Sequence, residues 1–75
     1  MDLKWKEGYE IRVNTDGNSV VISANKPGLL SLGAHLIALA LEEPGDHIHY
    51  DEYNSLEEGS AELIVELLRE EKDGE

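Results

Sequence analysis

The chain has 75 residues, enough for a single domain near the lower size limit at which apolar burial alone supports a fold. It contains no cysteine, which excludes disulfides and thiolate metal cages as supports and fits a reducing compartment. Seventeen acidic against six basic residues leave a formal net charge of −11, a balance that argues against nucleic acid and anionic membranes as partners and favours a basic protein.

The charge is uneven. Up to Leu41 the acids Asp2, Glu7, Glu10 and Asp16 balance Lys4, Lys6, Arg12 and Lys26, so the whole excess follows Leu41. The opening MDLKWKEGYE lacks the apolar run of a signal peptide, and the one long apolar run is too short to span a bilayer; a soluble, cytoplasmic protein is expected.

Residues 1 to 9 have no clear period, and Trp5, the only tryptophan, is expected to close one end of a small core. Tyr9 to Asn14 alternates, with Ile11 and Val13 on one face, as a half-buried strand does. Thr15-Asp16-Gly17-Asn18 has tight-turn chemistry, and Ser19 to Ala24 returns as a second strand, with Val20, Ile22 and Ala24 expected inside and Val21 and Ser23 outside.

Pro27 to Leu41 (PGLLSLGAHLIALAL) is an amphipathic helix, capped by Asn25 and stopped by Pro44-Gly45. At 100° per residue Ser31, His35, Ala38 and Glu42 share one narrow stripe, predicted to face solvent. Leu29, Gly33, Leu36, Ile37 and Ala40 form the opposite side, predicted to be buried, with Leu32, Leu39, Leu30 and Leu41 on its flanks. Glu42 and Glu43 stand at the C-terminal end, where the helix dipole mildly disfavours negative charge.

His47 to Tyr53 alternates, placing Ile48 and Tyr50 inward and His47, His49 and Asp51 outward. Asn54 to Ser60 is polar and turn-rich. Ala61 to Leu68 suits helix by composition and strand by the alternation of Leu63, Val65 and Leu67; strand is preferred because it completes a second hairpin. The fold expected is α+β, two hairpins joined by one helix (ββαββ), with a four-stranded mainly antiparallel sheet covered on one face. One domain spans residues 1–75, with an ordered core from about residue 9 to 68 and a frayed acidic tail over 70–75.

On the uncovered face, H-x-H-x-D puts His47, His49 and Asp51 in one row roughly 6 to 7 Å apart, a partial divalent-metal set that Glu62 or Glu66 would have to complete. A solvated polar face is the simpler reading, and neither a metal nor a cofactor is expected. No cysteine, nucleophile-elbow serine or phosphate-binding glycine loop supports catalysis. Tyr50, Tyr53 and the histidines His47 and His49, set among Asp46, Asp51 and Glu52 and followed by Glu57, Glu58 and Glu62, suit a protein interface, aromatics supplying contact and carboxylates charge pairing; the plainer reading makes Tyr50 core and Tyr53 a turn residue. Val21 and Ile64, apolar on the same open face, suit a homodimer as the alternative.

The string ISANKPGLLSLGAHLIALAL, followed by PGDHIHYDEY and LEEGSAELIVE, resembles the immunity protein 32 family of bacterial polymorphic-toxin systems. The resemblance covers about residues 20 to 67 and rests on Ser23-Ala24-Asn25 leading into Gly28-Leu29-Leu30, on Pro44-Gly45 and His47-Ile48-His49, and on Gly59-Ser60 before Glu62-Leu63-Ile64. It implies an α+β fold, a strand at Leu63 to Leu67, and neutralisation of a toxin by binding. It implies no catalytic residue.

Overall fold

The computed structural model describes residues 1–69; the expected acidic tail over 70–75 lies outside the described residues. The element order is β1 (Ile11–Asp16), β2 (Ser19–Ala24), α1 (Lys26–Ala40), β3 (His47–Tyr50) and β4 (Leu63–Glu66), the ββαββ arrangement expected from the sequence. Within the stretch Ala61 to Leu68, with its mixed propensities, Leu63–Glu66 forms a strand.

The two hairpins are antiparallel, with Asp16 opposite Ser19 in the first and Tyr50 opposite Leu63 in the second. The first turn sits one residue later than the sequence suggested, with Gly17 and Asn18 as its central pair. Gly17 has φ +62° and, among the described residues, no non-glycine residue has positive φ, so in this turn left-handed backbone is needed only at the first central position, where a II′ turn takes glycine.

The hairpins form two separate two-stranded sheets instead of one continuous sheet of four. A loop segment bridges them. Glu57 N–H donates to Ile11 O at 2.9 Å and Ala61 N–H to Val13 O at 2.7 Å, while Ser60 Oγ accepts from Val13 N–H at 3.2 Å. The free edge of β1 is therefore satisfied by residues 57–61, which lead directly into β4.

The core is small. Ile11, Val13, Leu32, Leu39, Ile48, Tyr50 and Leu56 are its buried members, and Leu3, Trp5 and Tyr9 pack against them. Trp5 stacks on Tyr9 at 4.4 Å and meets His35 and Tyr50 edge-on, closing one end of the core as expected. Leu56, from the polar loop, is 5% exposed and was not anticipated.

Asn25 ties three segments together. Its Oδ1 accepts from Gly28 N–H at 2.8 Å, capping α1, and from Glu10 N–H at 3.0 Å; its Nδ2 donates to Gly8 O at 2.9 Å. Gly28 then packs so closely on the base of the first hairpin that a Cβ would fall 2.5 Å from Glu10 O and 3.0 Å from Ile11 Cγ1. Because α1 leaves from that base, the far end of β2 extends away from it. Ala24 packs on the core, but Val20 and Ile22, expected inside, are exposed.

The helix itself is turned opposite to the prediction. Its buried residues are Gly28, Ser31, Leu32, His35 and Leu39, whereas Leu29, Gly33, Leu36, Ile37 and Ala40 face outward. The reason is hydrogen bonding. The N-terminal segment lies across the Ser31–His35 stripe: Lys6 N–H donates to Ser31 Oγ at 2.8 Å, His35 Nε2–H donates to Lys4 O at 2.6 Å, and Tyr50 Oη stands 2.9 Å from His35 Nδ1. Every buried polar side-chain atom among the described residues has a partner, so this stripe enters the core without an unpaired group.

Candidate partner-binding surface

The second hairpin presents the residues expected to meet a partner. Strand alternation sends Ile48 and Tyr50 into the core and leaves His47 and His49 exposed, opposite Glu66 and Ile64 of β4. His49 Nδ1–H donates to Glu62 Oε2 at 3.0 Å, an exposed pair, and the His47 and His49 rings lie 4.9 Å apart. His47 Nδ1 lies 3.3 Å from Gly45 O. An open groove of about 500 Å³ runs beside them, bordered by Leu3, Glu42, Asp46 and His47.

Two of the expected contact residues serve the chain itself. Asp51 Oδ1 accepts from Tyr53 N–H at 2.9 Å and Asn54 N–H at 3.1 Å, while its carbonyl accepts from Ser55 and Leu56. This is a carboxylate organising its own loop. The H-x-H-x-D row therefore does not assemble as a ligand set, and among the described residues no group of three His, Asp or Glu is placed to hold a metal ion. Asp46 Oδ2 accepts from Glu43 N–H at 3.2 Å and closes the turn around Pro44-Gly45.

Glu52, one of the carboxylates set beside Tyr53 and the histidines, stays exposed, and its Oε2 accepts from Gly59 N–H at 2.9 Å. The loop it steadies holds Tyr53 almost wholly in solvent, 91% exposed, with Glu58 exposed and Glu57 half-buried nearby in the chain. Outward-facing groups from this half of the chain include Glu43, Glu52, Tyr53, Glu58, Glu62, Ile64, Glu66 and the two histidines. No lysine or arginine lies between Lys26 and Arg69, whereas nine acids lie between Glu42 and Glu66, so no fixed cation offsets them within that stretch.

The fold is that of a small α+β module of ββαββ order, with a thin core and a charged, aromatic second hairpin. The chain is a member of the immunity protein 32 family, whose model matches residues 19–68. No curated protein and no solved structure matches it.

Membership carries with it a role in neutralising a toxin by binding. The residues that carry the family likeness are largely architectural. Asn25 caps the helix, Gly28 permits its close approach, Gly45 and Gly59 hold positive φ in turns, and Ser60 bonds β1. The contact surface has to be found from exposure and charge.

Proposed function

We propose that the chain neutralises its toxin by covering a basic surface on it, with the second hairpin and its loop as the contact. The carrying observation is the run of nine acids from Glu42 to Glu66 uninterrupted by any lysine or arginine. Such a surface attracts a basic groove over several ångströms and repels nucleic acid competing for it. Tyr53 supplies an exposed aromatic anchor, and Glu57, Glu58 and Glu62 the charges around it; Asp46, His47, His49 and Asp51 shape the rest of the hairpin.

The test is affinity for the toxin encoded beside this chain, measured for the unaltered protein and for Glu57→Gln/Glu58→Gln/Glu62→Gln. The triple variant is expected to bind at least tenfold more weakly and with a shallower dependence on salt. Unchanged affinity would place the contact elsewhere.

A further inference from the structure

The outward face of α1 is apolar along its length. Leu29, Leu30, Leu36, Ile37 and Leu41 range from 47% exposed at Leu36 to 81% at Leu41. Those exposures leave roughly 500–600 Å² of apolar side chain bare, at the upper end for a monomer and most of the ~800 Å² per partner that a stable interface covers.

Gly33 lies in the middle of this face. Glycine is unfavourable inside a helix, and here the chain's own packing does not ask for it, since a Cβ would meet nothing within 4 Å. The contrast with Gly28, where a Cβ would strike the first hairpin, is direct. A vacancy at Gly33 serves only something that approaches from outside.

The charges at the helix ends identify that occupant. Lys26 is exposed at the N-terminal end and Glu43 is exposed just past the C-terminal end, with no acid in the first turn and no base in the last. Each charge opposes the helix dipole where it stands, and among the described residues neither takes part in an ion pair. A second copy laid antiparallel across Gly33 reverses both conflicts. It brings the Glu43 of each copy to the Lys26 of the other, about 25 Å apart along the helix, and sets the dipoles in opposition.

We propose that α1 is a self-association face on which two copies pair antiparallel about a two-fold axis near Gly33 and Ile37, leaving the acidic hairpin of each free for its toxin. An isologous arrangement of this kind satisfies the same charges twice.

Sedimentation equilibrium of the full chain, up to millimolar concentration, tests it. The expected mass is twice the 8.3 kDa of one chain. Ile37→Asp and Gly33→Glu are expected to return it to a monomer with helical circular dichroism retained, and Val21→Glu, exposed on β2 of the first hairpin, to leave the dimer intact. Lys26→Glu alone should raise the dissociation constant severalfold, and adding Glu43→Lys to it should restore association. A monomer at every concentration overturns the proposal. So does a dimer that survives Ile37→Asp or is lost in Val21→Glu, and failure of the double exchange to restore pairing overturns the antiparallel arrangement.

Discussion

His35 shows how a polar side chain can belong to a core. At 1% exposure it lies between the Lys4 carbonyl and the Tyr50 hydroxyl, with Trp5 edge-on at 4.4 Å. Lys4 O can only accept, which places the proton on Nε2; Nδ1 then accepts from Tyr50 O–H. Burial supports that direction, because it pushes the Tyr50 hydroxyl from 10.0 up to about 12 and keeps it a donor. Tyr50→Phe leaves Nδ1 without a partner and is expected to cost about 1–3 kcal/mol in urea unfolding at neutral pH.

The same hydroxyl gives the fold an alkaline limit. An unfolded tyrosine ionises around pH 10, whereas the folded Tyr50 holds its proton to about 12. The unfolded state therefore sheds the proton first as pH rises. A contribution on the order of 2 kcal/mol, fully present below the lower value, is lost across that window. Unfolding midpoints taken from pH 9 to pH 12 should fall steeply, and the Tyr50→Phe variant should show a flatter decline. Tyrosinate absorbance should show a late component that the variant lacks.

Most elements were legible in the chain from a local signal, whereas β4, mixed in propensity, was read as a strand because His47 to Tyr53 needed a partner. Ile11 and Val13 alternate with charged and polar neighbours, Asn25 caps α1, and Leu63, Val65 and Leu67 set the parity of β4. The helix face was not legible, because hydrophobic arc width favoured the leucines, while the decisive partners of Ser31 and His35 are backbone groups 25 and 31 residues away. A stripe of Ser, His and Ala whose one charge, Glu42, comes only after the last helical residue was the available hint. Leu56 escaped for a related reason: its polar neighbours give no period, and only the Asp51 turn brings it inward.

The two helix glycines separate internal from external packing. Gly28→Ala forces a Cβ against backbone at Glu10 and is expected to destabilise by about 1–3 kcal/mol. Gly33→Ala meets open space in its own chain, and is expected to stabilise the isolated chain by about 0.5–1 kcal/mol. Denaturation at low micromolar concentration, where association does not contribute, checks both signs.

For the whole molecule, the family likeness and the charge distribution report on different things. Residues 19–68 match the immunity protein 32 model, and that span holds the Asn25 cap, the close packing at Gly28 and the glycine turns at Gly45 and Gly59. The candidate contact was legible in part: the excess of acid after Leu41 was plain in the chain. Which carboxylates were free was not, because Asp46, Asp51 and Glu52 are committed by hydrogen bonds to backbone N–H groups that only the folded loop brings near.

That distinction sets opposite salt responses for the free protein and its complex. In the free chain, a net charge of −11 repels itself, and the nine acids from Glu42 to Glu66 do so most strongly. Shortening the screening length from about 10 Å at 0.1 M salt to about 3 Å at 1 M relieves this, so the thermal midpoint should rise with sodium chloride. In the complex proposed above, the same charges would accelerate encounter with a basic toxin surface. The association rate should fall at least tenfold between roughly 0.05 and 0.5 M salt while dissociation changes little, because long-range steering is screened and short contacts are not. Stopped-flow mixing with the toxin measures both rates. An association rate indifferent to salt would mean that the toxin docks on an uncharged surface such as the outer face of α1, and the acidic hairpin would then serve solubility instead of recognition.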